Sequence, residues 1–200
     1  MNLISFLSYC IIVTFTPGPT NVVIASTVQN SGVKSALKFA LGSTLGFGTL
    51  LSISAIFNKV LIDILPEMLP VMQLIGSLYI LYLAYQILKM DISSKKNRTQ
   101  SLNHSYFLSG LMMQFVNPKV ITFTMTVIPS YVLPYYGSGK MLMLFVAVIT
   151  FIGFLAFTAW IVMGILSRAF LQKQQKAVNI IMALFLLYSA FIVSGLGAHF

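Results

Sequence analysis

Apolar residues in this chain fall in six long runs, at residues 3–28, 36–57, 68–88, 107–129, 141–166 and 177–197. A helix needs about 20 apolar residues to cross the hydrocarbon core of a bilayer. Each run meets that length, so the pattern predicts an all-α integral membrane protein with six transmembrane helices. The first run continues through Val22, Val23 and Ile24 with no basic segment before it, which predicts a retained first helix rather than a cleaved leader.

Composition supports the same class. Hydrophobic residues make up 58% of the 200-residue chain and charged residues 8%, with a mean hydropathy of +0.93. A soluble domain carries about 25% charged residues to keep its surface in water. The exterior is therefore expected to face lipid.

The net charge of +9 changes the picture only through its distribution. Nucleic-acid binders gather basic residues into a stripe on a soluble fold, whereas here they sit in the gaps between apolar runs, so nucleic acid is not an expected partner. Lys34, Lys38, Lys89, Lys95, Lys96, Arg98, Arg168, Lys173 and Lys176 fall on one side, against Lys59 and Lys140 on the other. The positive-inside rule then places the three basic loops in the cytoplasm and both termini outside, in a multi-pass protein of the cytoplasmic (inner) membrane. The triplets Asn97-Arg98-Thr99 and Asn103-His104-Ser105 resemble glycosylation acceptors but lie on that cytoplasmic side.

The polar stretch 91–105 divides the chain into a first three-helix repeat, 1–90, and a second, 106–200. Leu78-Tyr79-Ile80-Leu81-Tyr82-Leu83-Ala84-Tyr85 in the third run parallels Leu184-Phe185-Leu186-Leu187-Tyr188-Ser189-Ala190-Phe191 in the sixth. The first and fourth runs are each interrupted by a polar kernel containing proline: Phe15-Thr16-Pro17-Gly18-Pro19-Thr20-Asn21 and Gln114-Phe115-Val116-Asn117-Pro118-Lys119. Matched interruptions in two halves point to a transporter site, and three spans per half make the repeat an inverted one.

Proline removes an amide donor and clashes with the preceding helical turn, and in lipid the freed backbone groups must be satisfied by protein or cavity water. Asn117 reads as the N-cap and Pro118 as the first residue of a restarted helix; the first kernel offers the same grammar as Thr16 with Pro17 or Gly18 with Pro19. The restarting end offers amides to a carboxylate and the ending one carbonyls to an ammonium group. That pairing suits a small zwitterion such as an amino acid. Lys119 is a charge inside a span and the three acids, Asp63, Glu67 and Asp91, fall in or beside loops. Backbone carbonyls, loss of its proton or a substrate carboxylate are the ways open to neutralise it.

Other features carry less. Gly42 and Gly46 form a small-xxx-small pattern expected to let helices approach closely. Gly137-Ser138-Gly139-Lys140 is not a phosphate loop, because Pro134 and Met141 stand where glycine and Ser or Thr belong. Cys10 is the only cysteine, and His104 and His199 lack ligand partners at usable spacing, so no metal site and no cofactor are expected. Trp160, Tyr135 and Tyr136 read as interface or packing aromatics.

Thr16-Pro17-Gly18-Pro19, Asn117-Pro118-Lys119 and Gly76-Ser77-Leu78-Tyr79-Ile80 together resemble the lysine-exporter (LysE/RhtB) family of amino-acid efflux proteins. The resemblance covers the whole chain in length, span number and loop placement. It implies a six-helix inner-membrane exporter of amino acids and derivatives that works as an antiporter with protons. The family's first motif usually has Asn directly after the second proline; here that place holds Thr20, with Asn21 next. The absence of an acid in the second span makes a neutral substrate more natural than a basic one.

The reading is thus an amino-acid exporter, not an enzyme, with a substrate site at Thr16, Pro17, Gly18, Pro19, Thr20, Asn21, Gln114, Asn117, Pro118 and Lys119, reached alternately from the two sides. Its expected partners are a small-molecule substrate and membrane lipid, with a homodimer left open. The alternatives are a metal-cation exporter, disfavoured by the lack of membrane thiols, histidines and carboxylates, and a membrane scaffold, which leaves the two interrupted helices unexplained.

Overall fold

The computed structural model describes residues 1–89, 103–167 and 175–194. No strand occurs among them; they form helices α1 (Leu3–Phe15), α2 (Pro19–Ser31), α3 (Val33–Lys89), α4 (Asn103–Val116), α5 (Pro118–Val127), α6 (Gly139–Leu166) and α7 (Gln175–Val193). By length and composition, Val33–Phe57 and Gly139–Leu166 can each cross a membrane. The bent pairs Leu3–Phe15 with Pro19–Ser31, at 47°, and Tyr106–Val116 with Pro118–Val132, at 63°, qualify when each pair is taken as one span. Leu74–Tyr85 and Asn179–Phe191 are shorter apolar helices.

Both interruptions fall at the proline kernels. Of the two options at the first kernel, the chain uses Gly18 as N-cap and Pro19 as the first helical residue. Asn117 and Pro118 take those roles in the second, and Asn117 Oδ1 accepts from the Lys119 amide.

The connections differ from the expected gaps in three places. Between α2 and α3 the polar gap shrinks to Gly32, whose φ of 86° lies in the left-handed region that glycine tolerates. Gln29 and Asn30 stay helical there because their amides find carbonyls, Gly164 O and Ser26 O. Where a loop is expected between the second and third runs, two helices meet directly at a kink at Phe57 (φ −102°, ψ 17°), and the residues after it are helical. Charges punctuate a membrane sequence without breaking a helix, and Leu, Ile, Lys, Glu and Met in that stretch are good or tolerable helix formers, while Pro66 is carried inside the helix against its propensity. The linker 91–105 yields its last three residues to α4. The rest of it lies outside the described residues, as do the side chains of Lys59, Asp63, Glu67, Lys89, Arg168, Lys173 and Lys176, both glycosylation-type triplets and both histidines.

A further departure follows α5. Pro129 has no amide to continue the ladder, and the chain widens into a π-turn over Ile128–Val132, closed by Leu133 N donating to Ile128 O at 3.0 Å. Ser138 caps α6 by accepting from the Met141 amide, so the Gly137–Lys140 turn is a helix start.

The first part of α3 crosses α4 at its glycines. A Cβ on Gly42 would strike the Phe107 carbonyl and one on Gly110 the Phe39 carbonyl, and Ser43 Oγ donates to Gly110 O at 3.2 Å. Close approach is what small residues supply in membrane helices, where no hydrophobic force draws helices together. Two buried clusters result. One gathers Val22, Phe39, Ile80, Met113, Phe157 and Leu186; the other gathers Phe6, Phe47, Val120, Phe123, Phe145 and Ile149. Large apolar side chains such as Ile4, Ile56, Met143 and Leu166 cover the outside, which is the exterior a lipid-facing protein needs. The two proline kernels lie where the two clusters meet.

Candidate functional site

The kernel of α1 and α2 presents acceptors. Of the carbonyls at the end of α1 that have lost their helical partners, those of Thr14, Phe15 and Thr16 are each taken by a side-chain donor. Asn21 Nδ2 reaches Thr14 O at 3.1 Å and Thr16 O at 3.0 Å; Trp160 Nε1 reaches Phe15 O at 3.1 Å; Lys119 Nζ reaches Thr16 O at 2.5 Å. Backbone carbonyls left unpaired in lipid would each cost several kcal/mol, so these donors help to make the break tenable.

The kernel of α4 and α5 presents donors. Asn117 Nδ2 donates to Thr20 Oγ1 at 2.8 Å, and Gln114 Nε2 donates to the same oxygen at 3.3 Å and to Gly110 O at 3.1 Å. Thr20 thus uses both hydroxyl lone pairs. Gln114 and Asn117 are almost fully buried. The Gly110 carbonyl only accepts, which fixes the Gln114 amide with Oε1 pointing away from it; Oε1 has no partner among the described residues.

Lys119 joins the two kernels. Its stem lies across Gly18, where an added Cβ would sit 2.9 Å from Cδ and 3.2 Å from Nζ. Gly18 has an extended backbone that any residue adopts, so glycine is needed there for the lysine's passage and not for its φ. Lacking a side chain, Gly18 leaves the first-turn amides of α2 without a side-chain cap. Neutralisation of Lys119 in this structure runs through a backbone carbonyl, one of the three routes open from sequence.

Two spaces adjoin this lysine. An inner cavity of about 30 Å³ has a polar wall of Thr14, Gly18, Thr20, Asn21, Asn117 and Lys119 and an apolar wall that includes Phe47, Phe123, Gly153 and Phe157. An open crevice of about 690 Å³ lies beyond, bounded by Pro17, Pro19, Pro118, Thr122, Tyr188 and Ser189. Val13, Gly18, Asn117, Lys119 and Phe123 line both, forming the partition between them.

Of the expected site residues, Gly18, Thr20, Asn21, Asn117 and Lys119 therefore meet at the inner cavity, while Pro17, Pro19 and Pro118 face the crevice. Thr16 contributes its carbonyl, and Gln114 stands behind Thr20. Sequence reading missed the aromatic wall and Gly153; Trp160 does pack, against the first buried cluster, and in addition donates to Phe15 O. A glycine in the middle of the apolar run of α6 was the available signal for Gly153. Tyr136 does pack, against Phe145 at 5.3 Å, and Tyr135 is exposed.

The chain can now be set beside known proteins. A profile described as "LysE type translocator" matches residues 11–194. A cysteine/O-acetylserine efflux protein of Klebsiella pneumoniae subsp. pneumoniae is 31% identical, over 93% of this chain and 93% of its own length. Proteins of the same name from Salmonella paratyphi A and Escherichia coli O1:K1 are 28% and 26% identical, covering 95% and 93% of this chain and 96% and 94% of theirs. No solved structure matches the chain. It therefore belongs to the LysE type translocator family, the amino-acid efflux family that its proline motifs resemble, and is a membrane transporter, not an enzyme.

Proposed function

We propose that this protein exports small neutral amino acids, with cysteine as the first compound to test, through a site between the two broken helices. The observation that carries the reading is the Lys119 Nζ contact with Thr16 O at 2.5 Å. An ammonium group of the protein sits on the helix-end carbonyl that suits a substrate ammonium. The substrate's ammonium takes over that carbonyl, Lys119 swings to the substrate carboxylate, and the uncapped first-turn amides of α2 supply further donors. Lys119 and the substrate ammonium thus compete for one carbonyl.

On this reading the chain is a six-span inner-membrane protein with both termini outside, and its two halves are inverted repeats. The third and sixth spans support the repeat: Ile80 and Leu186 are fully buried, Ala84 and Ala190 nearly so, and Tyr82 and Tyr188 are exposed, at matching positions of the two aromatic stretches. The crevice is the path from one side, and alternating access opens the inner cavity to the other. Proton exchange is the coupling implied by the family resemblance, with Lys119 as the group that faces the substrate.

Cells overproducing the protein, compared with cells carrying an equal membrane amount of Lys119→Ala, test this directly. Release of one or a few amino acids by the parent alone is the expected result. Identical profiles that both match an empty vector overturn it.

A further inference from the structure

The inner cavity is amphipathic, and its apolar side is built around one ring. Phe47 is 3% exposed and stacks on Phe123 with centroids 5.8 Å apart, and it meets Phe157 edge-on at 6.4 Å. On its remaining flank it rests on Gly153: a Cβ there would lie 2.6 Å from Cε1 and 2.7 Å from Cδ1 of the ring. All four residues line the cavity. The position of the ring, and so the depth of the cavity, is set by the absence of a side chain on α6 at residue 153.

We infer that Phe47, seated on Gly153, is the size filter for the substrate side chain, and that it admits a short uncharged side chain of about two heavy atoms. This rests on the proposed amino-acid site. The zwitterionic head is held at Lys119, Gly18 and Asn117, which border both spaces, and the side chain then points away from the polar wall toward the rings. A space of about 30 Å³ holds roughly two water-sized atoms. The described lining contains no acid that would receive a basic side chain. A three-carbon amino acid fits, and one extended by an acyl group or a branched chain meets the Phe47 ring.

The two residues make opposite predictions when altered. A methyl at Gly153 must displace the ring, and with Phe123 and Phe157 on its other flanks the free volume is the cavity itself, so Gly153→Ala makes the site shallower. Phe47→Ala deepens it. A filter built from apolar contacts discriminates by roughly 10- to 200-fold per methylene.

Release of alanine, serine and methionine is measured from cells producing the full chain and each variant at equal membrane amounts. The parent should favour serine over methionine. Phe47→Ala should raise the methionine-to-serine ratio roughly tenfold, and Gly153→Ala should lower serine relative to alanine by about tenfold, the lower end of the same range. Phe47→Leu, which keeps more of the core filled, should move the ratio the same way as Phe47→Ala by a smaller amount and stands in for it where that variant does not accumulate. A parent that releases amino acids with ratios unmoved in the variants, or moved in one direction by both substitutions, overturns the filter alone. A parent that releases none of the amino acids overturns the site on which the filter rests.

Discussion

The two broken helices differ in what they give the centre of the protein. The break between α1 and α2 spans Thr16, Pro17 and Gly18 and turns the axis by 47°; that between α4 and α5 uses Asn117 alone and turns it by 63°. The wider break frees carbonyls at the end of α1 and is capped by a glycine, so it offers bare backbone. The narrower one is capped by its own asparagine and offers side chains. Every hydrogen bond described between the two kernels runs from a donor in the second, Gln114, Asn117 or Lys119, to an acceptor in the first. Two kernels that look alike as sequence have divided donors and acceptors between them.

Asn117→Ala should break that division most severely. It removes the cap of α5 and the main donor to Thr20, losses of about 1 kcal/mol for the cap and about 1–3 kcal/mol for the orphaned buried partner. Efflux should fall to background and the thermal stability of the detergent-purified protein should drop with it; unchanged melting would show that the kernels are not tied through Asn117. Lys119→Ala comes next, with efflux reduced at least tenfold, the equivalent of about 1.4 kcal/mol, while the membrane amount is maintained.

Gly18→Ala sharpens the comparison. By crowding the lysine stem it should lower efflux roughly three- to tenfold, within about 1.4 kcal/mol, and the Gly18→Ala, Lys119→Ala double variant should be no worse than Lys119→Ala. Additive losses, measured as efflux rates in the four members of the cycle, would mean that Gly18 acts on something other than Lys119. Trp160→Phe should have the smallest effect. It leaves Phe15 O without its donor and should cost about 1 kcal/mol of stability, read as a lower melting temperature with substrate preference unaltered.

What the sequence disclosed and what it hid follow from how far each interaction reaches. The helix restarts at Pro19 and Pro118 were legible because proline and its cap obey local rules, and Lys119 stood out because charge inside an apolar run is costly. The choice of Gly18 over Thr16 as cap was not, since both satisfy the local grammar; Thr16 instead closes α1, its amide and hydroxyl both donating to Ile12 O, and Lys119, 101 positions away in the chain, crosses Gly18. Phe47, Phe123 and Phe157 were hidden for another reason. In a membrane helix an aromatic that faces lipid and one that faces a cavity occupy equally apolar surroundings in sequence, so periodicity does not separate them. The helical stretch after Phe57 went unread because charged residues there looked like a loop, although a few charges do not end a helix.

The glycine crossing of α3 and α4 also sets a schedule for the protein's own manufacture. Ser43 and its carbonyl partner Gly110 are 67 positions apart, and a ribosome adding about 5–20 residues per second needs several seconds to cover that distance. Throughout that interval the notch at Gly42 and Gly46 stands open to lipid or to whatever escorts the nascent chain. A methyl added to either side of the notch would be harmless until the later helix arrives, and would then bar it from docking.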